Sequence, residues 1–96
     1  MVQKTRVQMS KEDRWTWIAE YIWDHGPVDV LNASFVEKYQ KATGASIVPK
    51  LWGANYCPQL SKDLGQMATA HRLRRRVVRL GNMGNGFPTW VWHYSM

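Results

Sequence analysis

One cysteine, Cys57, is all the sequence carries. No disulfide can form within the chain, and with no His pair nearby the thiol does not read as part of a zinc site. Long apolar runs are missing too. None approaches the roughly 20 residues needed to cross a bilayer, and residues 1–9 hold no apolar stretch of signal-peptide type, so a soluble cytoplasmic protein is expected. No Ser-His-Asp spacing, P-loop or paired carboxylates in a cleft-like context occur, which leaves an enzyme unsupported. No cofactor, metal or small-molecule substrate is expected either. Acidic residues stop at Asp63: residues 64–96 contain 5 Arg and no acid, whereas residues 1–63 hold 8 Lys and Arg against 7 acids.

What is present suits one folded unit. The chain has 96 residues, enough for a single core, and 45% of them are apolar, with 6 Trp among them. A flexible N-terminus over 1–9 and one domain over 10–96 are expected. The late arginines, Arg72, Arg74, Arg75, Arg76 and Arg79, lie within eight positions. Charge so segregated makes a local positive field that favours a polyanion, the bland alternative being a solvated basic strand.

Local patterns predict the elements. Ser10 with Asp13 resembles a capping box, and Gly26-Pro27 an αL-type stop, which bounds a helix over 11–25. Trp15, Ile18, Ala19, Ile22 and Trp23 fall on its core face; Thr16, Glu20 and Asp24 form the polar stripe. Trp17 and Tyr21 flank that stripe and widen the apolar surface, so the helix is expected either to be wrapped on most sides or to touch another subunit. Val28-Asp29-Val30 alternates like a short strand. Asn32 caps a second helix over 33–43 whose inner face is Phe35, Val36, Tyr39 and Ala42. Ser46 is placed to cap one helical turn around Pro49, Lys50, Leu51 and Trp52, with Gly53 ending it. Pro58 opens a third helix over 58–71, with Leu60, Leu64, Met67 and His71 along one side. Asp63 sits laterally on it. Strands over 73–80 and 87–94 form a hairpin around the Gly- and Asn-rich 81–86. Core positions are expected for Trp15, Trp23, Trp90 and Trp92, with Trp17 and Trp52 open.

Helix, short strand, helix, helix, basic hairpin is an order that resembles the winged helix-turn-helix family, an α+β fold. Residues 57–80 look like its recognition helix running into the first wing strand, and 28–30 like the strand that closes its three-stranded sheet. Gly53-Ala54 with Cys57-Pro58 and Leu60, together with Gly86-Phe87-Pro88, Trp90-Val91 and Tyr94, are similar to short phage and mobile-element proteins of that kind. The chain departs from the family at 70–73, Ala-His-Arg-Leu where Ala-Gly-Leu is common, and in the long connection between the second and third helices.

The resemblance implies a sequence-specific double-stranded DNA-binding protein, a transcriptional regulator working in the bacterial cytoplasm or nucleoid. Its third helix would enter the major groove and its wing would meet the backbone. Gln59, Ser61, Lys62, Gln66 and Thr69 are the candidates on the helix; Arg72, Arg74, Arg75, Arg76 and Arg79 those at the wing, with Asn82 and Asn85 at its tip. Gln suits adenine, Lys guanine and the Thr methyl a thymine methyl, although the same positions also suit an ordinary solvated helix face. Alternation cannot put all of Arg74–Arg76 on one side, so one of them should lay its aliphatic stem on the core edge. A homodimer through the first helix is expected. Two other classes stay open: a protein-interaction module using Trp17, Tyr21 and the wing, and a binder of RNA or single strands.

Overall fold

The computed structural model describes residues 9–49, 55–82, 84 and 87–96. Ser10 starts the first helix, α1 (Lys11–His25), by accepting a hydrogen bond from Asp13 N–H at 3.1 Å. Gly26 ends it with φ 88° and ψ −168° while its N–H still donates to Ile22 O. The φ is positive as the stop requires, but the ψ is not that of an αL cap. Asn32 caps α2 (Ala33–Thr43) from its side chain, and Gly44 closes it in true αL geometry at φ 75° and ψ 11°.

Residues 44–57 hold the first correction. Val48–Pro49 forms strand β1, paired antiparallel with β2 (Asn55–Tyr56), where a helical turn was expected. Lys50, Leu51, Trp52, Gly53 and Ala54 lie outside the described residues, as does most of the N-terminal segment 1–9. The next helix, α3 (Pro58–Thr69), begins on Pro58, whose missing N–H costs nothing at that position. It ends two residues before the expected 71.

Its C-terminus is a Schellman motif. Arg72 N–H donates to Met67 O at 2.8 Å and His71 N–H to Ala68 O at 3.0 Å. His71 occupies the left-handed position of that motif, at φ 61°, and is exposed. Of the two roles its place at the helix end suggests, capping or packing, it takes the first, filling a backbone position that a Gly would fill more cheaply.

β3 (Arg74–Arg79) and β4 (Trp90–Ser95) make the C-terminal antiparallel hairpin, with Arg75 opposite Tyr94, Val77 opposite Trp92 and Arg79 opposite Trp90. Beyond the ladder, Leu80 N–H donates to Thr89 O at 2.8 Å. The strand expected at 28–30 shrinks to one antiparallel bridge, Val28 with Tyr94, whose N–H and C=O groups exchange bonds at 2.8 and 3.0 Å. His93 Nε2 to Asp29 Oδ2, at 3.0 Å, fastens the same junction. The described chain is therefore an α+β domain of three helices and a C-terminal hairpin, with one further pair of short strands. No described helix is long and apolar enough to cross a membrane.

All three helices and the hairpin meet in one core: Ile18 and Ile22, Phe35, Val36 and Tyr39, Leu60, Leu64 and Met67, with Leu73 and Tyr94 from the hairpin side. Of the two expectations for Trp17 and Tyr21, wrapping by the fold is the one seen, both being partly buried against the core. Trp17 stacks on Tyr21 and Phe35 at 5.3 and 6.1 Å and meets Tyr39 edge-on, so these rings seal α1 against α2. Trp23 and Trp90 are the opposite correction: assigned to the core, they are 77% and 46% exposed. Trp15 and Trp92 are half-buried against the core as expected.

Candidate nucleic-acid interface

α3 has two chemically distinct sides. Leu60, Asp63, Leu64 and Met67 are buried, so a carboxylate sits among the apolar anchors and must be compensated there. Arg14 of α1 supplies the charge in a forked contact, Nε to Oδ2 at 2.8 Å and Nη2 to Oδ1 at 3.2 Å. Tyr39 of α2 donates its hydroxyl to Oδ2 at 2.6 Å, and Gln59 donates from Nε2 to Oδ1 at 3.1 Å. One buried group thereby fixes α3 against both other helices. Burial and the bond to Asp63 raise the Tyr39 hydroxyl pKa well above the usual value, and Arg14's own bonds to Asp63 raise that of its guanidinium. The sequence had placed Asp63 laterally. Its role was invisible there because Arg14 lies 49 positions away.

The other side of α3 forms a wall of an open groove of about 600 Å³. Ser61, Lys62, Gly65, Gln66, Thr69 and Ala70 line it from α3, Lys11 and Trp15 from α1, and Arg75 from the hairpin. None of these described residues is acidic. Trp15 is bracketed by two cations, Lys11 Nζ at 4.8 Å from its ring centroid and the Arg72 guanidinium at 5.4 Å. Such contacts place positive charge over an apolar plate without a carboxylate to cancel it. Trp15 Nε1 is buried and has no hydrogen-bond partner among the described residues.

Five of the expected residues thus share one concavity: Ser61, Lys62, Gln66, Thr69 and Arg75, with Arg72 at its edge. Gln59 is not among them, since its amide is committed to Asp63 and the residue lines a different depression beside Arg14 and Thr43. Alternation divides the wing arginines. Arg75 is the one on the Tyr94 side, itself exposed, with its guanidinium 4.4 Å over the Trp92 ring, and Arg79 shares that side. Arg74 and Arg76, both exposed, share the other side with Ser95 and His93. Asn82 is exposed, and its Oδ1 accepts from Gly84 N–H at 3.1 Å, shaping the loop. Asn85 lies outside the described residues. Sequence reasoning missed Lys11 as part of the site; its spacing of four from Trp15 was the available signal.

Among the described residues no three His, Cys, Asp or Glu side chains gather as a metal site requires. Comparison of the chain with family models, curated proteins and solved structures finds no match. The functional reading therefore rests on this surface and its chemistry.

Proposed function

We propose that this chain is a winged helix-turn-helix protein that binds double-stranded DNA. α3 lies with its Lys62, Gln66 and Thr69 side toward the major groove, and β3 and β4 act as the wing on the backbone. The observation that carries this reading is the convergence of the polar side of α3 with Lys11, Trp15 and Arg75 in one groove free of acid among its described residues. A B-DNA major groove, about 12 Å wide, admits one helix, and cations at both rims suit the two phosphate strands that border it. The bridge from Val28 to the last strand supports the same family, because it joins the hairpin to the segment before α2. Sequence-specific regulation of transcription by a phage-type homodimer is the fuller form of the proposal.

A second reading has one observation in its favour. Trp23 is 77% exposed and borders a shallow depression with Ala19, Glu20, Asp24 and Met96, a surface suited to a protein partner. Fluorescence anisotropy with a random duplex at low salt, with single-stranded DNA and RNA as competitors, separates the classes. The DNA reading expects saturable binding to duplex that single strands displace poorly. No binding to any nucleic acid would leave the protein-partner reading in its place.

A further inference from the structure

One side of the hairpin carries more than charge. In register order, Arg75 with Tyr94, Val77 with Trp92 and Arg79 with Trp90 stand on the same side. Toward Tyr94 this side belongs to the core, whereas Val77 and Trp90 are each 46% exposed. Trp90 meets Trp92 edge-to-face at 5.5 Å and 90°, so its indole is braced from behind. The Arg75 guanidinium sits 4.4 Å over Trp92, and Arg79 lies across from Trp90. The result is a strip of alternating cation and aromatic groups in a stretch, residues 64–96, that has no acid.

Arginines alone would serve an intact duplex, which shows a hairpin of this kind only phosphates, sugars and base edges. An exposed, braced indole is matched by the π-face of a base, and in an intact duplex neighbouring bases cover those faces. They become accessible where a base has lost its partner, since unstacking then costs least. We propose that the Trp90 strip stacks on such a base, and that the substrate class favoured by the wing is duplex DNA interrupted by an unpaired base. This inference rests on the duplex-DNA reading above: the α3 groove holds the duplex while the strip takes the exposed base.

The test compares an intact duplex with the same duplex carrying a single-nucleotide bulge, using wild type, Trp90→Ala and Trp90→Phe. Trp90 is exposed, so melting of each variant close to wild type serves as the folding control. Wild type should prefer the bulged duplex about tenfold, the scale of one base–aromatic stacking contact. Trp90→Ala should bring the two duplexes to equal affinity, and Trp90→Phe should keep most of the preference. Equal wild-type affinity for both duplexes, or a preference that survives Trp90→Ala, would overturn the inference while leaving the duplex-DNA reading intact. Absence of salt-dependent binding to either duplex would overturn both.

Discussion

Arg14 and Arg76 are the same side chain in opposite surroundings. Arg14, 19% exposed, forks onto a fully buried Asp63, and its remaining nitrogen donates to Met9 O at 3.1 Å. Arg76 stands exposed on β3, in a stretch without a single acid. The contrast extends to the regions around them: all 7 acids lie in residues 1–63, and no described ion pair joins a hairpin arginine to any of them, Arg75 instead lying over the Trp92 ring. A guanidinium facing a buried carboxylate fixes helix positions. One left without a carboxylate keeps its charge available for a ligand that brings its own.

The largest effect should come from the buried pair. Arg14→Ala strands a carboxylate in the core and should cost about 3–5 kcal/mol in urea unfolding. Arg14→Met combined with Asp63→Leu should cost less than Arg14→Ala alone, because no unpaired charge remains. Arg76→Ala should stay within about 0.5 kcal/mol of wild type. Similar destabilisation by Arg14→Ala and Arg76→Ala would break the comparison.

High pH probes the same network. Burial raises the ionisation of Tyr39, Tyr94 and Cys57 above their ordinary values, with the bond to Asp63 adding to the effect on Tyr39. The unfolded chain therefore loses these protons first. The stability they contribute is complete below about pH 8 and falls as the pH climbs past the unfolded values of about 8.5 and 10. Urea midpoints between about pH 7 and 11.5 should decline, and Tyr39→Phe should flatten the decline while lowering stability at neutral pH. A midpoint constant across that range would show that these hydroxyls and the thiol are not buried as described. A smaller change, of opposite sign to that at Arg14, is expected at His71, where a left-handed backbone carries a Cβ. His71→Gly should stabilise by about 1 kcal/mol, read as a higher melting temperature.

Much of the fold was legible because its signals are local. Ser10, Asn32, Pro58 and the glycines after two helices set the helix bounds from within a few residues, and the hairpin carried its own alternation. Asp63, Trp23 and the β1–β2 pair were not legible, each for a physical reason. The partners of Asp63 come from three separate elements or turns. Trp23 sits about 80° around the helix from Trp15, at the edge of an apolar stripe where the neighbouring elements decide burial. Two-residue strands have no period of their own and form only because they meet across 50–54. Within the candidate site, composition pointed to Arg72–Arg79, of which Arg75 lines the groove, whereas only the packing of α1 against α3 brings Lys11 and Trp15 into it and the buried Asp63 draws Gln59 away.

Whether the α3 groove and the wing serve duplex DNA, as proposed, is tested most directly by a salt titration of duplex binding. For wild type, log K should fall linearly with log salt. Arg74→Ala and Arg76→Ala should each reduce the slope by about 0.9 for every phosphate left unneutralised, alike on random and selected duplexes. Gln66→Ala should leave the slope unchanged while costing about 1–3 kcal/mol on a selected site. Binding without salt dependence, or no binding at low salt, would contradict the account.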